Sequence, residues 1–125
     1  MKTKTIKYMK LIFSILLLCF VINLQAQSCK ETLDFVKSKG YGITYYSPSS
    51  KAVSQITFYN VSIEYKTYYF AVVKFTSNFY KEYIYLVGSN TKYNYSMNYL
   101  DGAGEAFWKY IAPYNKNLGC APDFE

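Results

Sequence analysis

The 125-residue chain carries 14 basic side chains against 8 acids, a formal charge of +6, and 21% of its residues are aromatic. It contains no histidine, which excludes Ser-His and Cys-His nucleophile pairs and the usual kind of zinc site. It contains no arginine either, so every cation is a lysine.

The first ten residues hold Lys2, Lys4, Lys7 and Lys10 and no acid. Residues 11–24 are apolar except for Ser14 and Asn23, and small Ala26 follows. A basic start, an apolar stretch and a small residue at the cut predict a signal peptide over residues 1–26, with the mature domain starting at Gln27. A membrane anchor needs about 20 apolar residues, more than this run offers. A lipid anchor on Cys29 lacks the usual leucine three positions upstream, where Ala26 stands. Cleavage leaves 99 residues, 27–125, enough for one domain with a modest core. It also leaves ten lysines against eight acids, so the mature charge is about +2. Most of the basicity belongs to the leader.

Cys19 leaves with the leader, and Cys29 and Cys120 remain, one near each end of the mature chain. Two cysteines in an exported chain predict one disulfide. In the chain-entropy model, closing so long a loop is worth about 4–5 kcal/mol. The spacing excludes a CxxC redox or zinc motif.

Along the mature chain, Ser28 and Glu31 have capping-box spacing, Leu33, Val36 and Lys37 follow at helical spacing, and Gly40 supplies a stop. Residues 29–39 are therefore expected to be helical. Residues 41–51 read as a short extended piece ending in the turn residues Ser47-Pro48-Ser49-Ser50. From Ala52 the period is two, with Ile56 and Phe58 opposite Gln55, Thr57 and Tyr59. Between Tyr65 and Thr76, residues Tyr69, Ala71, Val73 and Phe75 share one side and Tyr68, Phe70 and Val72 the other. Two apolar faces predict a central strand. Residues 82–87 give another strand, with Ile84 and Leu86 opposite Tyr83, Tyr85 and Val87.

After the turn signal Gly88-Ser89-Asn90, the alternation Tyr93, Tyr95, Met97, Tyr99 predicts a fourth strand. Residues 103–111 return to helical spacing through Ala103, Ala106, Phe107, Tyr110 and Ile111, and Pro113 ends that helix. The expected class is α+β: an N-terminal helix, an antiparallel meander of three to four strands and a C-terminal helix, closed by one disulfide.

Chemistry is sparsely supplied. The acids Glu31, Asp34, Glu64, Glu82, Asp101, Glu105, Asp123 and Glu125 form no spaced pair that specifically suggests glycoside hydrolysis. Asp101-Gly102-Ala103-Gly104-Glu105-Ala106-Phe107 holds two glycines of a dinucleotide fingerprint, but Phe107 replaces the third, and a flexible helix entry explains it. Asn60-Val61-Ser62 and Asn94-Tyr95-Ser96 have the form of glycosylation acceptors by chance. No catalytic, metal or cofactor site is expected. The unusual residue is tyrosine, with 16 in the chain. Tyr59, Tyr68, Tyr83 and Tyr85 are the candidate binding residues, an aromatic platform for a protein, peptide or carbohydrate partner if they share one sheet face. The competing reading is a sheet face covered by a helix. A mature charge of about +2 without arginine argues against nucleic acid as the partner.

Tyr83-Ile84-Tyr85, Val87, Tyr93, Gly104, Phe107, Ile111 and Tyr114 occur in the order found in the KTSC domain. Residues 53–114 thus resemble this family, first named from the C-terminus of some lysyl-tRNA synthetases. The leader's Gln25-Ala26-Gln27 end resembles signal peptides of Bacteroidota. The KTSC resemblance implies a helix, not a strand, over residues 90–100. It carries no established activity, and RNA binding is only a suggestion for the family. The chain departs from it after Val87, where Gly88-Ser89-Asn90 replaces the usual proline.

Overall fold

The computed structural model describes residues 28–122. The expected signal peptide and its cleavage point lie outside those residues. Residues 28–39 form helix α1, with Ser28 already inside it. Four strands follow as an antiparallel meander in the order β1-β2-β3-β4: β1 Ile43–Tyr46, β2 Val53–Ile63, β3 Lys66–Phe75 and β4 Asn78–Val87. Then come α2 Thr91–Asn98, a 3-10 turn Tyr99–Asp101, α3 Ala103–Tyr110, a second 3-10 turn Ala112–Tyr114 and α4 Asn115–Leu118. The α+β class, the meander and the closing disulfide are as the sequence predicts.

The sheet is covered on both faces. On one, Ile56, Phe58, Ala71, Val73, Phe75, Tyr85 and Val87 pack against Tyr95, Ala103, Ala106, Phe107 and Ile111 from the C-terminal helices. On the other, Val61, Phe70, Val72 and Ile84 pack against Val36 of α1, with Leu33 beside it. Val36 is wholly buried, and a buried valine contributes about 1.5–3 kcal/mol. The two apolar sets along β3, Ala71/Val73/Phe75 and Phe70/Val72, serve these two cores separately. That is why its sequence shows no polar face.

The β2–β3 hairpin turns through Glu64 and Tyr65, between the paired Ile63 and Lys66. Both turn residues have positive φ, 50° and 68°. A two-residue hairpin loop of this kind ordinarily uses Asn-Gly, because side chains carry a steric cost in the left-handed region.

The strand expected after Gly88 does not form. Residues 91–98 are helix α2, and the tyrosine alternation divides between its two faces. Thr91 and Tyr95 are buried four residues apart, with Tyr99 half-buried one turn on, while Tyr93 and Met97 face solvent. Asparagines that weaken a strand close helix-type bonds here: Asn98 Nδ2 donates to the Asn94 carbonyl at 2.7 Å. The Thr91 hydroxyl accepts from the Gly88 amide at 3.0 Å and fixes the helix start.

Beyond α3 the chain laps around the edge of β4. Ala112 and Tyr114 still pack on the first core, whereas Leu118 and Cys120 belong to the second. Asn117 Nδ2 donates to the Leu86 carbonyl at 2.8 Å along the way, and Gly119 leaves α4 with φ 65°. Cys120 then bonds to Cys29 across a separation of 91 residues, with their Cα atoms 5.7 Å apart. A disulfide of this kind fits an oxidising compartment. Among the described residues, no helix is long and apolar enough to cross a membrane.

Candidate functional site

The four candidate tyrosines do not form one platform. Tyr83 and Tyr85 point to the face under α2 and α3, and Tyr59 and Tyr68 to the face under α1. Strand pairing decides this. Tyr85 stands opposite Ala71, so it shares a face with Ala71, Val73 and Phe58, while Tyr59 lies opposite Phe70 on the reverse side. Tyr85 is 1% exposed and meets Phe107 edge-on at 5.7 Å. Burial, with Tyr83 next, pushes its hydroxyl well above the ordinary tyrosine range. Tyr83 is half-buried against Phe75 of the core under α2 and α3, ring to ring at 5.5 Å, with the Lys81 ammonium over its ring at 5.3 Å. Tyr59 covers the chain at Gly42, where an added Cβ would stand 2.9 Å from its ring. Tyr68, half-buried, carries the Lys66 ammonium 5.2 Å above its ring.

A concavity lies elsewhere. A cleft of about 470 Å³ opens between the β1–β2 turn, residues 46–52, and the junction that leads into α3, residues 99–105. Its first wall is held in place by its own polar groups. Ser47 Oγ donates to the Val53 carbonyl at 2.7 Å, and Ser50 Oγ accepts from the amides of Ala52 and Val53. Thr76 Oγ1 donates to the Ser50 carbonyl at 3.0 Å, which ties the turn to the end of β3. A bulge between Val53 and Gln55 redirects β2 at this point.

The opposite wall is the start of α3. Its N-cap is Gly102, with no side-chain cap. The first amides of a helix, here Ala103 to Glu105, have no acceptor within the helix. Gly104 allows a close approach: a Cβ there would stand 3.1 Å from the Ala52 Cβ across the cleft floor. Asp101 and Glu105 line the same wall, and neither has an ion-pair partner among the described residues. Lys51 is the one cation of the lining. Tyr46 and Leu100 stand at the rim, 66% and 84% exposed.

Behind Tyr99 lies an aromatic layer. Tyr45 meets Phe58, Tyr95 and Tyr99 edge-on, and Tyr95 stacks on Tyr99. Burial pushes the Tyr95 hydroxyl up, with Ser47 acting in the opposite direction. Ser47 gives its hydrogen to Val53, and the Tyr95 hydroxyl ends without a hydrogen-bond partner.

No family model, curated protein or solved structure matches the chain.

Sequence reasoning placed function on the tyrosines and passed over this cleft. Both of its walls were visible as punctuation, Ser47-Pro48-Ser49-Ser50 as a turn and the Asp101–Glu105 stretch as a flexible helix entry. Nothing in the sequence says that a bulged β2 and a close Gly104–Ala52 contact bring them face to face. Among the described residues, no group of three or more His, Cys, Asp or Glu is placed to hold a metal ion.

Proposed function

We propose that the chain is an exported, non-enzymatic binding domain acting at the cell envelope or outside the cell, with the cleft between residues 46–52 and 99–105 as its binding site. The observation that carries this reading is the pairing of unsatisfied donors and acceptors in one cleft. The first α3 amides offer hydrogens, Asp101 and Glu105 offer oxygens, and Tyr46 exposes a ring at the rim. A neutral ligand rich in hydroxyl groups complements all three, because each hydroxyl both donates and accepts and its carbon faces cover an aromatic ring.

Two carboxylates against one lysine disfavour a phosphate backbone, so the lining speaks against RNA as the ligand. Reading the chain as a divergent relative of the KTSC domain rests on the sequence resemblance of residues 53–114, and that resemblance brings no activity with it. The Cys29–Cys120 bond and the basic, apolar leader support export.

The test is calorimetric titration of the exported protein with neutral saccharides, alongside Tyr46→Ala and Asp101→Asn variants. Both substitutions change exposed or unpaired groups, so melting temperatures should hold while binding falls at least tenfold. Unchanged affinity in both variants would remove the cleft from consideration. N-terminal sequencing of protein from its native host should begin at Gln27, give or take two residues; an intact Met1 on membrane-embedded protein would end the export reading.

A further inference from the structure

The cleft does not stop at Ala52. Lys51 and Ala52 also form one side of a second hollow of about 190 Å³, lined by Phe75, Ser77, Phe107 and Trp108. The two hollows therefore share a dipeptide in their linings. On α3 the linings follow one another: Gly104 and Glu105 line the first and Phe107 and Trp108 the second, with Gly104 and Trp108 four residues apart. Four residues of helix span about 6 Å. Trp108 lines the second hollow, is 50% exposed and meets Phe107 edge-on at 5.6 Å.

We propose that these two hollows are successive subsites of one groove, and that the groove takes a linear neutral oligosaccharide rather than a single sugar. The inference rests on the cleft being the binding site. The polar cleft holds the first two units through the α3 amides, Asp101 and Glu105, and the smaller Trp108 hollow receives the next unit by its carbon face. The chemistry of the two parts matches that division. The cleft supplies hydrogen-bonding groups of both kinds, whereas the second hollow is walled by Phe75, Phe107 and Trp108, with Ser77 as its hydroxyl. Aromatic rings offer flat apolar area with a small entropic cost of ordering, which suits the carbon face of a sugar unit. A basic or aromatic peptide is the alternative occupant, and the experiment separates it.

Trp108 is the only tryptophan of the chain, so its emission reports on the second hollow alone. The full chain, expressed with its leader and recovered in its exported form, is titrated with gluco- and chito-oligosaccharides of two, four and six units, and with Lys-rich peptides containing tyrosine. For at least one saccharide series, affinity should rise tenfold or more from the disaccharide to the tetrasaccharide. The tetrasaccharide should also shift Trp108 emission and shield it from acrylamide, while the disaccharide leaves it unchanged. Trp108→Ala should erase the gain with length and keep disaccharide affinity; Trp108→Phe should restore most of it, and melting curves check that both variants fold. Saccharide binding that is indifferent to length or to Trp108 overturns the extended groove and leaves the cleft standing. Binding of the peptides alone, lost in Tyr46→Ala, overturns the oligosaccharide and again leaves the cleft. No Tyr46-dependent binding of any probe removes both.

Discussion

Tyr95 and Tyr99 stack with ring centroids 5.5 Å apart and planes 15° from parallel, and the Tyr95 hydroxyl is buried without a hydrogen-bond partner. The ring contributes apolar burial to the layer behind the cleft, while the oxygen contributes a desolvation cost. An unsatisfied buried polar group costs about 1–3 kcal/mol. Tyr95→Phe keeps the ring and removes the oxygen, so it should stabilise the domain by about that amount. Urea melts of the two proteins measure the difference. A destabilised Phe variant would mean that Ser47 satisfies the hydroxyl after all.

Alkaline pH should act on the same residue and on Tyr85. Burial is the leading cause that raises both hydroxyls above the ordinary 10.0. The folded chain thus holds these protons more tightly than the unfolded chain. Their contribution to stability is complete below pH 10.0 and is lost as pH rises through the raised folded values. Lys37 moves in the same direction, raised above 10.5 first by its hydrogen bond to Glu82, but that pair is largely solvated and worth about 0–1 kcal/mol. Tyrosinate absorbance should show two tyrosines, Tyr85 and Tyr95, that lag until the chain unfolds. Tyr85→Phe and Tyr95→Phe should each remove one laggard. A single titration step in the still-folded protein would contradict the burial.

The tyrosine pair of β4 should separate by stability. Tyr85 sits in the core, and aromatic-to-alanine changes in cores cost about 3–5 kcal/mol. Tyr83 keeps solvent on its Lys81 side, so Tyr83→Ala should cost clearly less. Thermal melting of the two single variants reads this directly. Equal, small losses would return Tyr85 to the surface.

The Glu64–Tyr65 turn offers a gain. Each residue occupies the left-handed region, with a cost of about 1–2 kcal/mol that asparagine and glycine largely avoid. Replacing the pair by Asn-Gly should raise the melting temperature, and Tyr65 is fully exposed, so no packing is lost. A lower melting temperature would show that the tip's side chains hold the hairpin.

Strand periodicity was legible because β2, β3 and β4 alternate cleanly, and every side assignment within a strand survives. The relation between strands was not. Which face of β4 meets which face of β2 depends on register, and a shift of one residue exchanges them. That is why Tyr83 and Tyr85 were grouped with Tyr59 and Tyr68. The α2 misreading has another cause: a tyrosine at every second position also fits two helical faces, 95 and 99 inward, 93 and 97 outward. Only the burial of Thr91 beside Tyr95 decides between the periods. The cleft was hidden for a third reason, since its walls come from segments about fifty residues apart and carry no periodic signal.

The Cys29–Cys120 bond is the remaining prediction, and its location says what should fail without it. It fastens α1 to the end of the segment that laps around β4, where Asn117 bonds to Leu86 and Leu118 packs in the second core. The α2–α3 layer is anchored independently through Phe107, Ile111 and Tyr95 on the opposite face. Reduction should therefore loosen one side of the sheet more than the other. Removing a native disulfide from a small exported domain costs about 2–5 kcal/mol. Peptide mapping without reductant should first show the two cysteines joined, and a Cys29→Ser/Cys120→Ser variant should then melt at a lower temperature. Hydrogen exchange in that variant should accelerate in α1 and at residues 115–120 before it does in α3. Uniform acceleration across both faces would mean that the sheet has one cooperative core rather than two, and an unchanged melt would mean that the lap holds without its bond.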